Sequence, residues 1–304
     1  MKITQKKKNL KREFPLHMML LPSVIMVIIF SYIPLYGLTI AFKKFNPAKG
    51  LFGDNPWNGL ENFRYIFSLP DIGRVFSNTL IIALAKIIVG MAAAITVALL
   101  LNECRIKYVK KSVQTMIYFP YFISWIILGG IAADILSPSN GIINTIIQFL
   151  GGEPIYFLGD NHVFKQTLVW TDVWRNFGYN SIVYLSAITA IDTGLYEAAA
   201  IDGAGRWKRI LHVTLPGIST TIILMCILSL GDVLNAGFDQ VFNLYSVQVY
   251  ESGDIIDTLV YRIGLQQAKF GPSTAVGLLK SVISFLLISI AYLTAWKKYD
   301  YKIF

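Results

Sequence analysis

The chain has 304 residues, 55% of them apolar and 15% charged, against roughly 45–50% and 25% in soluble domains. With a mean hydropathy of +0.55 and apolar blocks as long as the ~20 residues that cross a bilayer, it is not an ordinary soluble enzyme, a disordered chain or a disulfide scaffold. The formal charge of +9 gathers between apolar blocks, as the positive-inside rule produces, and no soluble basic stripe with stacking aromatics marks nucleic acid as a partner.

Six apolar blocks predict an all-α membrane protein with six transmembrane helices, over roughly 16–41, 76–101, 113–136, 166–190, 214–235 and 274–296. Lys2, Lys6, Lys7, Lys8, Lys11 and Arg12 precede the first block, which runs for about 25 residues. Signal-peptide cores run only about 7–15, so this block reads as an uncleaved span. With the N-terminus inside, sixteen lysines and arginines fall in the inner segments and eight in the outer ones. That bias expects both termini in the cytoplasm. One membrane domain, 16–296, is then flanked by a basic cytoplasmic tail, 1–15, and a second cytoplasmic tail, 297–304. The outer segments 42–75, 137–165 and 236–273 carry most of the Asn-Pro, Ser-Pro and Gly-Gly punctuation, with Trp57, Tyr156, Tyr245 and Tyr250 as expected interface anchors. Cys104 and Cys226 lie in or beside apolar blocks and give no disulfide or metal framework.

Ionisable side chains inside spans are costly and point to function. In the fourth block Asp172, Arg175, Asn176 and Tyr179 stand at i, i+3, i+4 and i+7, one helical face, with Trp174 and Asn180 to either side. Hydrogen-bonding side chains beside aromatic rings suit a sugar, and the Arg175 charge suits a uronate carboxylate. An Asp172–Arg175 ion pair that only pins the helix remains open. Lys86 in the second block and Lys280 in the sixth each need a partner, for which an aspartate of the fifth span is expected.

The segment 195–217 between the fourth and fifth blocks is too patterned for a linker. Glu197-Ala198-Ala199-Ala200 favours helix, Asp202-Gly203-Ala204-Gly205 is a turn, and Trp207, Ile210 and Leu211 alternate with Arg206, Lys208 and Arg209 in a second amphipathic stretch. Pro216 opens the next span. A helix, a glycine turn and a second helix at the membrane surface follow, either as a plain tie between spans or as a docking element. No G-x-x-x-x-G-K-[ST] loop and no G-x-S-x-G elbow occur, and His17, His162 and His212 are far apart, so neither ATP binding, catalysis nor a metal site is expected of this chain.

The spacing Glu197-Ala198-Ala199, three residues, Gly203, nine residues, then Val213-x-Leu215-Pro216 resembles the EAA loop of ABC importer permeases, with valine in place of isoleucine. Leu20-Leu21-Pro22, the 32–37 and 98–103 stretches and Phe119-Pro120-Tyr121-Phe122-Ile123-Ser124-Trp125 resemble the carbohydrate-importer permeases. The 137–144 and 260–266 stretches resemble their oligosaccharide and polyuronide branch, the Lpl-type B permeases. The resemblance implies a type I ABC importer (MetI-like) permease fold in the bacterial cytoplasmic membrane. Glu197, Ala198, Ala199, Asp202, Gly203 and Ala204 would form the coupling helix that seats in a cytoplasmic ATPase dimer. It implies a second, different permease subunit, an extracellular substrate-binding lipoprotein and an oligosaccharide substrate, with no cofactor in this chain because the ATPase holds ATP and Mg. It also implies a sugar site lined by Asp172, Arg175, Asn176 and Tyr179, by Tyr121 and Trp125, and by the end of span five near Asp232, Asn235 and Asp239, unless the partner permease carries that site alone. The rival expectations are an ion-coupled secondary transporter using Asp172, a membrane enzyme acting on lipid-linked sugars, and an importer of another solute.

Overall fold

The structure is a computed structural model that describes residues 10–299. The lysines at 2, 6, 7 and 8 and the end of the C-terminal tail lie outside the described residues. Among the described residues every named element is helical.

The first crossing is one helical run: α1 (Leu10–Val27), a π turn at Ile28–Tyr32 and a 3-10 stretch at Ile33–Phe42. Pro15, Pro22 and Pro34 each remove an i→i−4 hydrogen bond, and local π and 3-10 adjustments keep the remaining backbone groups paired in the bilayer. Every side chain from Phe14 to Tyr36 is exposed. A short α2 (Glu61–Phe67) leads into α3 (Ile72–Glu103), the second crossing.

The third crossing is broken. The expected continuous span over 113–136 is instead α4 (Lys107–Tyr118), a 3-10 turn at Phe119–Phe122 and α5 (Trp125–Ile135), with a bend of 106° between the two halves. Pro120 has no N–H to continue the ladder, Ile123 turns to extended geometry and Ser124 caps α5. After α6 (Ile142–Phe149) comes α7 (Phe164–Thr189), long enough to cross but too polar to qualify on hydropathy. The hairpin α8 (Thr193–Ile201) and α9 (Arg206–Arg209) follows. The fifth crossing is α11 (Ser219–Gly231), bent by 57° from the helical run Arg206–Gly217 that begins with α9 and ends in α10 (Leu215–Gly217). The chain then unwinds at 232–237 and continues as α12 (Phe238–Leu244), α13 (Tyr250–Gly253) and α14 (Ile256–Tyr261) before the long sixth crossing, α15 (Phe270–Tyr299). Three long helices, two bent pairs and α7 thus make the six crossings.

The centre of the packing is α3 against α7. At Gly178 a Cβ would collide with the carbonyl of Ile117, so α4 crosses α7 in backbone contact. The segment 236–273 is not an exposed outer loop. Val241, Leu244, Val249, Ile255, Ile256 and Leu259 are buried in one core with Ile82, Phe164 and Leu168. Tyr245 and Tyr250 stack on each other at 5.1 Å, with the Arg262 guanidinium 4.8 Å from the Tyr250 ring. Burial pushes the Tyr245 hydroxyl above the usual tyrosine range, and its hydrogen bond with Tyr250 adds to that. The buried Asp254 carboxylate accepts from Arg262 at 3.1 and 2.5 Å and from the Thr258 hydroxyl at 2.7 Å. Asp254→Asn leaves the arginine without its counter-charge, and removing one member of a buried pair costs about 3–5 kcal/mol. A lower melting temperature of the purified subunit is the expected result. An unchanged one would mean that this network is not what fixes the segment.

Candidate functional site: a mid-span polar cleft and an exposed hairpin

At the α8–α9 end, the Asp192 carboxylate accepts from the Gly194 N–H at 2.9 Å and caps α8, which then runs through Glu197-Ala198-Ala199-Ala200. The helix closes on Gly203 at φ +77°, with Gly203 N–H donating to Ala200 and Ala204 N–H donating to the Ala199 carbonyl at 2.9 Å. Glycine is the residue for this left-handed helix end. A 3.0 Å hydrogen bond between the hydroxyls of Tyr196 and Thr214 fastens the hairpin to the start of the fifth crossing. Glu197, Ala198, Asp202 and Gly203 are exposed, Ala199 and Ala204 half-buried. Ile201 is 86% exposed and Trp207 77%. All six residues read from the EAA spacing therefore sit on one compact hairpin.

The polar stripe of α7 divides in two. Asp172, Asn176 and Asn180, four residues apart, face a cleft of about 390 Å³ that is also lined by Lys86 from α3 and by Asp232 and Asn235 from the unwound segment. Arg175 and Tyr179, also four apart, face the break in the third crossing instead. Arg175 donates to the Tyr121 carbonyl at 3.0 Å and to the Ile123 carbonyl at 3.1 and 3.2 Å. Its guanidinium lies 5.5 Å from the Tyr121 ring and 5.1 Å from the Trp125 ring. Tyr121 and Tyr179 stack at 3.8 Å, nearly parallel. The break frees carbonyls that no helix bonds, and a planar guanidinium with several donors satisfies them. Of the sequence-derived substrate residues, Asp172, Asn176 and Asn235 thus share the cleft, while Tyr121, Trp125, Arg175 and Tyr179 form a second cluster beside it. Trp174 faces an apolar groove with Trp125 and Trp170. Asp239 is exposed and does not line the cleft.

The ion pairs correct two expectations. Asp172 pairs with Lys86 at 3.7 Å, not with Arg175. Lys86 lies one turn along α3 from Ala83 and faces α7, whereas Arg175 points to the α4–α5 break. Lys280 pairs with Asp257 of α14 at 2.5 Å. Neither lysine finds an aspartate in the fifth span, because α11 ends at Gly231 and the carboxylates in reach come from α7 and α14. Lys86 also donates to the Ala236 carbonyl at 2.6 Å and to the Gln240 side chain. Gln240 in turn donates to the Leu168 carbonyl and the Thr171 hydroxyl, each at 2.7 Å. Gln240 carries no signal in the sequence. It stands among apolar residues after the fifth block, and only the unwinding at 232–237 brings it against α3 and α7.

Six crossings around a mid-span polar cleft, with an exposed helical hairpin on a connecting segment, define a membrane transport subunit. The chain belongs to the family described as binding-protein-dependent transport system inner membrane component, whose model matches residues 90–295. It is a transport permease and not an enzyme. It is 41% identical over 276 residues to the polygalacturonan/rhamnogalacturonan transport system permease protein YteP of Bacillus subtilis, which covers 91% of this chain and 86% of that protein. It is 40% identical over 291 residues to protein LplB of Bacillus subtilis, covering 96% and 91%. Among solved structures, a chain of a bacterial ABC transporter involved in the import of the acidic polysaccharide alginate superposes with a TM-score of 0.88 at 36% identity, covering 96% of this chain and 98% of that one.

Proposed function

We propose that this chain is one of two membrane subunits of an ATP-driven importer that carries oligosaccharides, acidic ones included, across the bacterial cytoplasmic membrane by alternating access. The observation that carries the reading is the exposed α8–α9 hairpin, on which Glu197, Asp202 and Gly203 are all exposed and Gly203 has open space beside it among the described residues. A cytoplasmic ATPase dimer seats on that hairpin and supplies both the nucleotide and its Mg site. Closure of the dimer moves the hairpin, and through the Tyr196–Thr214 contact moves the fifth crossing at the cleft wall. The excess of lysine and arginine in the inner segments supports cytoplasmic termini. An extracellular binding lipoprotein delivers the sugar, and a second, different permease supplies the other half of the pathway. The acidic cargo is supported by relatives that are polygalacturonan/rhamnogalacturonan and alginate transporters.

The test is purification of the tagged chain from native membranes in mild detergent, followed by mass spectrometry and by uptake of labelled oligosaccharides in cells lacking the chain. Stoichiometric recovery of a second six-span permease and an ATPase, with uptake lost in the deletion strain, is expected. Recovery of the chain alone with uptake intact would overturn the reading.

A further inference from the structure

We infer that Lys86 is the residue that selects acidic cargo, its ammonium exchanging the Asp172 carboxylate for a carboxylate of the sugar as the cleft fills. The inference rests on the importer reading above. Among the described residues Lys86 is the only cation lining the cleft, and Asp172 and Asp232 line it as well. An acidic sugar therefore meets two like charges and a single opposite one. Arg175 is not among the lining residues; its Nε and Nη2 donate to the Tyr121 and Ile123 carbonyls, and its Nη1 reaches the cleft only at its edge, donating to the Asn176 oxygen at 3.4 Å.

An ammonium has three N–H donors. Two are engaged, by the Ala236 carbonyl at 2.6 Å and by the Gln240 oxygen. Gln240 cannot follow the ammonium elsewhere, because its own amide is held by Leu168 and Thr171. The third donor meets Asp172 at 3.7 Å, an attraction of charge but longer than the ~2.7–2.9 Å of a charge-assisted hydrogen bond. Asp172 is the more exposed of the two, 21% against 9%. The fixed cation and the looser carboxylate are the arrangement in which a second carboxylate can displace the first.

The experiment uses the assembled transporter in proteoliposomes. Uptake of an oligogalacturonate is compared with that of the same oligosaccharide after its carboxyls are reduced to alcohols. Lys86→Met is expected to lower the ratio of acidic to neutral kcat/KM by about tenfold or more, the scale of one charge-assisted hydrogen bond, with KM carrying the change. Lys86→Arg is expected to keep the acidic preference. The charge-balanced Lys86→Met/Asp172→Asn pair, which removes both ions, is expected to lower the ratio as well, though less than Lys86→Met, because the repulsion from Asp172 is gone too. Equal loss for both sugars in that double variant, or its failure to assemble, would make Lys86 a structural pin and overturn the inference. Wild-type protein that moves the neutral sugar but not the acidic one would overturn the cargo reading itself, and this inference with it.

Discussion

Arg175→Ala is expected to destabilise the subunit by about 2 kcal/mol, because two half-buried carbonyls lose their donors and a fully buried one would cost roughly 1–3 kcal/mol. The guanidinium closes the break in the third crossing by donating to Tyr121 and Ile123, and it fills the space between the rings of Tyr121 and Trp125. Arg175→Lys supplies a point charge that reaches one carbonyl but cannot form the fork or lie flat between rings, so an intermediate loss is expected. The check is thermal unfolding of the detergent-solubilised subunit, read beside uptake. Both variants are expected to slow acidic and neutral oligosaccharides alike, because the α4–α5 bend positions Tyr121 and Trp125 for either. A variant that keeps its melting temperature while losing only acidic cargo would return Arg175 to the role of a uronate ligand.

The division of the α7 stripe shows where sequence reading succeeds and stops. Spacing of 3 and 4 places Asp172, Arg175, Asn176 and Tyr179 within one broad face, and periodicity carries no more than that. Which side of the face meets the cleft is decided by the break at Pro120, and the depth of that break is a tertiary outcome. The 106° turn depends on Arg175 being available to hold the freed carbonyls and on Gly178 letting α4 lie against α7. The six crossings were legible because apolar length is a one-dimensional property. The hairpin was legible because helix formers, a left-handed glycine and a proline at the next helix start are all local signals. The packing of segment 236–273 is not legible for the opposite reason. Its elements are short, its apolar residues are spread over three helices, and the pair that fixes it, Asp254 with Arg262, looks in sequence like ordinary loop charge. Likewise the Lys86 partners come from α7 and from the unwound segment beyond α11, a meeting that only the folded bundle brings about.

Gly203→Val is expected to abolish most coupled uptake while leaving the isolated subunit folded. Gly203 closes α8 at φ +77° with open space around it, so the constraint is the backbone and not packing. A side chain at that conformation costs roughly 1–2 kcal/mol, most for β-branched residues, while asparagine tolerates it. Valine therefore shifts the turn, re-aims Ala204 and the α9 stretch with Trp207, and presents a misshapen surface to the ATPase. Gly203→Asn, which keeps the turn, should retain most uptake. Glu197→Lys acts without changing backbone shape. It reverses an exposed charge beside Ala198 and Ala199, and for a residue at the centre of an interface about 2 kcal/mol or more is lost, roughly thirtyfold in affinity. The measurements are ATPase recovery with the tagged permease and sugar-stimulated ATP hydrolysis in the reconstituted complex, against melting of the isolated subunit. Because the hairpin contributes little to the α3–α7 core, the melting temperature should move by no more than a few degrees in any of these variants. If Gly203→Val and Glu197→Lys both transport at the wild-type rate, the hairpin is a tie between spans four and five, and force must enter the bundle elsewhere.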